Sequence, residues 1–167
     1  GSELILTAGP SVSTKEITFT HDAAKNGWNN KFNYYIDKLE HQFAKFIGTK
    51  YAIATSSCTG AMHIALKTLG IGYGDEVIVP DITWVATARV VEYVGAKPIF
   101  SEVKADNWNI DPKCVESLIN KNTKAIIIVH MYGNPANLIE LKKISRKYNL
   151  HLIEDAAPAI GSSYKKI

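Results

Sequence analysis

The stretch Ala125-Ile-Ile-Ile-Val129 decides the fold class of this chain. It is continuously apolar, as is typical of a parallel strand, because helices cover both faces of such a sheet. It is also much too short to span a bilayer as a helix. We therefore predict a buried strand of an open parallel sheet at this position.

Shorter strand-like segments and helical patterns alternate on both sides of this stretch. The predicted strands are Tyr51–Ala54, Glu76–Val79, Lys97–Phe100 and His151–Glu154. The predicted helices are Phe32–Ile47 (ended by Gly48), one that follows Ser57, about Trp84–Tyr93, one opened by Asp111 and Pro112, and one that buries Leu138 and Leu141. Such alternation predicts an α/β fold, a three-layer sandwich whose mostly parallel sheet has right-handed crossovers.

Length and composition indicate one domain with its own core. The chain has 167 residues, of which 46% are hydrophobic and 21% are charged, as in ordinary soluble globular proteins. Residues 1–30 are polar and irregular, and we interpret them as an extended N-terminal arm in which Gly1 and Ser2 are a tag remnant. The folded domain is expected over residues 31–167.

Charge and cysteine content argue against several classes of protein. The net charge of +3 comes from scattered lysines, so we expect no nucleic-acid partner. The two cysteines form no disulfide framework, which indicates a reducing, cytoplasmic location. The histidines show no metal-ligand spacing, and no segment predicts a secretion signal or a membrane span.

Three features that follow predicted strands are candidates for a binding site, since parallel sheets bind ligands beyond the carboxyl ends of their strands. The segment Thr55–Gly60 leads into a helix N-terminus, which suits a phosphate, although small polar residues also serve as ordinary helix caps. Trp84 could stack on a planar ring or be an ordinary tryptophan. Asp155 could pair with a positive group or cap the turn at Ala156-Ala157.

Together the three features match the parts of one cofactor. Pyridoxal 5'-phosphate has a phosphate, a flat aromatic ring and a basic ring nitrogen. An acid that pairs with this nitrogen keeps it protonated, so that the ring can withdraw electrons from a substrate carbanion. The sequence therefore suggests pyridoxal phosphate as the ligand of this edge.

Five motifs carry a resemblance to a known family. They are Ala54–Leu66, Gly74–Pro80, Thr83–Ala88, Val129–Pro135, and Glu154–Ala157 with Gly161. In this order they resemble the large domain of DegT/StrS-like sugar-nucleotide aminotransferases, which have the fold type I pyridoxal phosphate architecture. The stretch Asp106–Pro112 looks most like the perosamine-synthase branch, which makes 4-amino sugars on a GDP carrier for surface polysaccharide such as the O-antigen.

The resemblance implies a role for each matched residue. Cys58 and Thr59 would hold the cofactor phosphate, Trp84 would stack on the pyridine ring, and Asp155 would pair with the ring nitrogen. Family members transfer an amino group from glutamate to a keto-sugar nucleotide and act as cytoplasmic homodimers. By this resemblance, residues 31–167 are the N-terminal part of the cofactor-binding large domain, and the C-terminal domain is absent.

Two positions depart from the family pattern, and one catalytic residue is missing. Cys58 stands where glycine or alanine is common, and Pro158 replaces a polar residue near the cofactor's phenolic oxygen. The Schiff-base lysine of the family is expected beyond Ile167, and Lys165 and Lys166 do not match its motif. We therefore assign no catalytic residue and expect this portion alone to be inactive.

Two other functions stay open. A 3-dehydratase of the same family has histidine in place of the lysine. A non-catalytic module that binds sugar nucleotides or phosphate is the other alternative, although the glycine fingerprint of dinucleotide-binding folds and the Walker motif are both absent.

Overall fold

The structure is a computed structural model that describes residues 11–165. The chain divides into two compact units, one that ends at Ala54 and one that begins at Thr55. The tag remnant predicted at Gly1 and Ser2 lies outside the described residues. A domain that begins at residue 31 stays a prediction, because compactness alone does not define a domain.

The first unit begins with a helix that the sequence analysis missed. Residues 14–26 were expected to belong to an extended, irregular arm, but Thr14–Asn26 form helix α1, so that expectation is wrong. Ser13 and Glu16 form a reciprocal capping box, in which the Glu16 carboxylate accepts the Ser13 N–H at 2.6 Å. None of the residues of α1 is buried, which explains why its apolar periodicity is weak.

The second helix of this unit confirms its prediction. Helix α2 spans Tyr34–Ile47 and ends at Gly48, whose φ of 78° is left-handed and therefore favours glycine. The strand predicted at Tyr51–Ala54, in contrast, is wrong, because these residues belong to no described strand. The Ala54 N–H donates instead to the Glu40 carboxylate at 2.8 Å, so a side chain takes the place of a ladder partner.

The second unit alternates helices with strands, as predicted. Its elements are α3 (Cys58–Thr68), β1 (Glu76–Pro80), α4 (Ala86–Tyr93), β2 (Lys97–Ser101), α5 (Pro112–Leu118), β3 (Thr123–Val129), α6 (Leu138–Lys147) and β4 (His151–Asp155). The helix predicted from Trp84 begins two residues later, and Asp111 caps α5 by accepting the Lys113 N–H at 3.0 Å. No helix within residues 11–165 is long and apolar enough to cross a bilayer.

The strands form one sheet of four in the order β2-β1-β3-β4, and every pairing is parallel. The predicted apolar stretch is the core of β3, an interior strand. The side chains of β1 and β3 alternate between two apolar clusters. Val77, Val79, Ala125 and Ile127 pack with α3 and α4, whereas Ile78, Ile126 and Ile128 pack with α5 and α6. This arrangement confirms the three-layer sandwich.

The order of the strands locates the place where a ligand site is expected. From β1 the chain moves to β2 on one side and then, past β1, to β3 and β4 on the other. The carboxyl ends of β1 and β3 therefore flank a switch point, and parallel sheets bind ligands at such a point. The segments that follow β1, β3 and β4 include Trp84, His130 and Ala156.

Candidate functional site

Asp155 is the last residue of β4 and is buried, with 6% of its surface exposed. Its carboxylate accepts hydrogen bonds from three groups of the second unit. The Thr87 hydroxyl donates to Oδ2 at 2.9 Å, whereas the Cys58 thiol at 3.4 Å and the Ala157 N–H at 3.3 Å donate to Oδ1. The turn cap considered for Asp155 in the sequence analysis is therefore present, as one of three contacts.

The N-terminus of α3 is directed at this carboxylate through Cys58, the first residue of the helix. The Ser57 side chain caps the helix by accepting the Gly60 N–H at 3.1 Å. Within residues 11–165, no protein acceptor contacts the N–H groups of Cys58 and Thr59. Two free amides at the positive end of the helix dipole form an arrangement that suits an anion.

The environment of Cys58 keeps its thiol protonated. Although the residue as a whole is exposed, its thiol is partly buried, and this burial, with the neighbouring negative charge of Asp155, raises the pKa of Cys58 to about 11. The thiol hydrogen bond to Asp155 acts in the same direction. Cys58 is therefore a weak donor at neutral pH and not a nucleophile.

Trp84 precedes α4 and presents its side chain to the outside, with 79% of its surface exposed. Its carbonyl accepts the Thr87 N–H at 3.0 Å. Because the Thr87 hydroxyl contacts Asp155, one helical turn connects the exposed indole to the buried acid. An indole this exposed gives up the stabilisation that burial of its apolar surface would provide, and it leaves a flat face free for a ligand.

Thr87 is the site residue that the sequence analysis missed. It is completely buried, and its hydroxyl lies 3.1 Å from that of Thr83, which precedes it by four residues. Thr83 lies three residues before α4 begins, so the pair has no helical spacing that would have marked it in the sequence.

A second polar pair lies on the opposite face of β4. The His130 Nδ1 atom accepts the Ala136 N–H at 3.1 Å, so the neutral ring carries its proton on Nε2 and donates it to Glu154 at 3.1 Å. This hydrogen bond lowers the pKa of Glu154, and the Lys142 charge acts in the same direction. This hydrogen bond joins the residue after β3 to β4, so we interpret His130 and Glu154 as a structural pair.

Asn109 holds the loop that follows β3. It is buried, and its amide nitrogen donates to the carbonyls of Asn134 and Pro135 at 3.2 and 3.4 Å, while its oxygen accepts the Met131 N–H at 3.2 Å. Tyr132, in the same loop, has a left-handed φ of 50° and is exposed. The stretch Asp106–Pro112, which contains Asn109, is thereby fixed to the loop that follows β3.

The structure brings the predicted site residues into one connected set. Cys58 contacts Asp155 directly, Thr59 is next to Cys58 and half-buried, and Trp84 is connected to Asp155 through Thr87. Pro158 is exposed in the turn after β4 and has no side-chain donor to offer. Within the described residues, no cluster of histidine, cysteine and carboxylate side chains suits a metal ion.

The chain is similar in sequence and in structure to known proteins. Over 156 residues the chain is 38% identical to the GDP-perosamine synthase of Escherichia coli O157:H7, covering 93% of this chain and 43% of that protein. The structure of this chain is similar to that of an aminotransferase from Psychrobacter cryohalolentis, with a TM-score of 0.89 and 35% identity. The match covers 95% of this chain and 40% of that one.

A further solved structure contains a cofactor. NtdA of Bacillus subtilis with bound pyridoxamine phosphate is 30% identical with a TM-score of 0.81, over 90% of this chain and 35% of that one. The chain thus spans less than half the length of these proteins. The profile of the DegT/DnrJ/EryC1/StrS aminotransferase family matches residues 10–166, and the chain therefore belongs to this family.

Proposed function

We propose that this chain is the cofactor-binding N-terminal portion of a pyridoxal phosphate-dependent sugar-nucleotide aminotransferase. The observation that carries the proposal is the buried Asp155 carboxylate, which lies at the carboxyl end of a parallel strand and contacts the first turns of both α3 and α4. A buried acid is stable only with donors or a positive partner. This one contacts Cys58 at a helix end that suits an anion, and Thr87 connects it to the backbone of the exposed Trp84.

The residues present fit each part of the cofactor. The free N–H groups of Cys58 and Thr59 and the Thr59 hydroxyl suit a phosphate, the Trp84 indole suits a flat ring, and Asp155 suits a protonated ring nitrogen. Pyridoxal phosphate supplies an electron sink for carbanion chemistry when it is bound. The side chain of Cys58 is small and points to Asp155, so the backbone amide of residue 58 stays accessible to an anion.

The chain's own residues would bind and orient the cofactor and exclude water from it. Three donors hold the Asp155 carboxylate in place, and a carboxylate at this position would pair with the protonated form of a basic ring nitrogen. The indole of Trp84 would cover one face of the ring, since 79% of its surface is exposed before any ligand binds. Pro158 cannot hydrogen-bond a phenolic oxygen through its side chain.

A more specific proposal concerns the substrates of the full-length protein and the pathway and compartment in which it acts. We infer that the full-length protein transfers an amino group from glutamate to a GDP-linked keto-deoxy sugar, giving a perosamine-like 4-amino sugar for O-antigen synthesis in the cytoplasm. The resemblance of Asp106–Pro112 to the perosamine branch and the 38% identity to a GDP-perosamine synthase support it. A homodimer is the expected form of the full-length protein, as in the family.

The catalytic lysine is expected downstream of Ile167, so we propose that the chain alone binds the cofactor but does not transfer amino groups. The test is titration of the chain with pyridoxamine phosphate, which lacks the aldehyde that reacts with surface lysines. Asp155→Asn should weaken this binding by about tenfold, because a charge-assisted hydrogen bond is lost. Inorganic phosphate, which has no ring nitrogen, should bind Asp155→Asn at least as tightly as the wild type, because the variant also removes a negative charge near the helix end.

The same titration separates the proposal from its alternative. Tight binding of a GDP-sugar with no preference for pyridoxamine phosphate over inorganic phosphate would identify a nucleotide-binding module and overturn the proposal. Measurable transamination by the chain without added protein would contradict the assignment of the lysine to a later position.

A further inference from the structure

Three side chains form a directed series of hydrogen bonds in the second unit. The Thr87 hydroxyl lies 2.9 Å from Asp155 Oδ2 and 3.1 Å from the Thr83 hydroxyl. An ionised carboxylate only accepts, so the Thr87 proton points to Asp155. The Thr83 proton must then point to the Thr87 oxygen. Donors aligned in series polarise one another, which strengthens the last bond.

The same residue also holds the backbone that presents Trp84. The Thr87 N–H donates to the Trp84 carbonyl at 3.0 Å, while its side chain, which is completely buried, reaches the acid. Thr87 thus connects two predicted site residues that have no recorded contact with each other in residues 11–165. A change in the orientation of Thr87 would move both.

The distribution of donors on Asp155 is unequal. Each carboxylate oxygen accepts about two hydrogen bonds. Oδ1 has Cys58 and Ala157 as donors, whereas Oδ2 has Thr87 alone. The acceptor position that stays open therefore belongs to Oδ2, and the Thr87 bond determines the plane in which it lies.

We propose that Thr87 is a positioning residue: its hydroxyl, supported by Thr83, orients the Asp155 carboxylate so that the open position of Oδ2 is offered to the ring nitrogen of the cofactor. This inference rests on the proposed function, since it concerns the ligand of the same acid. A simpler role is that Thr87 is a buried hydroxyl that only stabilises the fold, and the two roles differ in which ligands they affect.

The test compares two ligands that differ at the ring nitrogen. Pyridoxamine phosphate carries the nitrogen, whereas benzyl phosphate keeps a flat ring and a phosphate without it. Thr87→Val is nearly isosteric and removes only the hydroxyl. It should weaken binding of pyridoxamine phosphate to the chain by about tenfold and leave benzyl phosphate within about twofold of the wild type.

Three further variants sharpen the comparison. Thr87→Ser keeps a hydroxyl and should restore the preference for pyridoxamine phosphate. Thr83→Val leaves the Asp155 contact in place and should lower the preference by about twofold. Thr123→Val is the matched control, because Thr123 is also buried, with 4% of its surface exposed, and its hydroxyl accepts the Asn120 N–H at the amino end of β3. This control should change neither affinity.

A double variant tests the connection to the acid. If Thr87 acts through Asp155, then adding Thr87→Val to Asp155→Asn should cost no more affinity than Asp155→Asn alone. Equal losses for both ligands, or additive losses in the double variant, would overturn the inference and leave the proposed function standing. A wild-type chain that binds benzyl phosphate as tightly as pyridoxamine phosphate would overturn both.

Discussion

The Cys58 thiol lies 3.4 Å from an oxygen of the Asp155 carboxylate, although 97 positions separate the two residues in the chain. The contact exists because α3 begins beside the carboxyl end of β4. It joins a helix end that suits an anion to an acid that suits a cation, within one small area of the second unit.

This contact makes a prediction about the reactivity of Cys58. With a pKa of about 11 in place of 9.0, the thiolate fraction at about pH 8 is roughly a hundredfold lower than that of an ordinary thiol. A more basic thiolate is also more nucleophilic, so alkylation by iodoacetamide should be about tenfold slower than in the unfolded chain. Mass spectrometry in a Cys114→Ser background measures the rate.

The control for Cys58 is Asp155→Asn, which removes the negative charge and should speed the alkylation. For stability, the sign follows from the raised pKa of this acidic group. Its contribution is complete below the unfolded pKa and is lost as the pH rises through about 11. Alkylation as fast in the folded chain as in urea would contradict the contact.

Trp84 should report ligand binding. In a background where Trp28 and Trp108 are phenylalanine, pyridoxamine phosphate should quench the remaining tryptophan emission. Trp84→Ala should weaken its binding by about three- to tenfold, since an aromatic stack contributes about 0.5–1.5 kcal/mol. Trp108→Ala is the control, because this indole is also exposed, and an equal loss of affinity in that variant would exclude stacking on Trp84.

Glu154 should contribute to stability in a pH-dependent way. Its pKa is lowered, first by the His130 hydrogen bond, so its contribution is present above its ordinary value of 4.5 and is lost as the pH falls below it. Glu154→Gln should lower the free energy of unfolding at neutral pH by about 1 kcal/mol or less, because the carboxylate is partly exposed and screened. It should also flatten the acid limb of the stability profile.

Chemical denaturation at several pH values measures this effect. Glu140→Gln is the control, since Glu140 is exposed on α6 and has no recorded side-chain partner within residues 11–165. A steep acid limb that persists in Glu154→Gln would assign the pH dependence to other carboxylates.

Asn109 should be important for the loop that follows β3. Asn109→Ala leaves the Met131 N–H and the carbonyls of Asn134 and Pro135 without their buried partner, so the free energy of unfolding should fall by about 2 kcal/mol. Urea denaturation measures the loss. Asn122→Ala removes an exposed amide and should change stability by less than about 0.5 kcal/mol. Similar losses in both variants would show that the loop does not depend on Asn109.

Local signals in the sequence were sufficient for most of the secondary structure. The apolar run in β3, the Asp111-Pro112 start of α5 and the Gly48 end of α2 each act over a few residues, so they could be recognised without the fold. Helix α1 could also have been predicted, because the capping box formed by Ser13 and Glu16 is itself a local signal. The strand wrongly predicted at Tyr51–Ala54 failed for a different reason, since a strand needs a partner that sequence does not display.

What the sequence determined by itself, then, is the α/β layering and the family to which the chain belongs. It also suggested Cys58, Thr59, Trp84 and Asp155 as candidates for cofactor binding. Only the tertiary structure decided which groups share the Asp155 carboxylate. Thr87 became a candidate site residue only because the folded chain brings its hydroxyl within 2.9 Å of the Asp155 carboxylate. Hydrogen bonds between distant residues depend on packing across the sheet, which no local pattern of residues encodes.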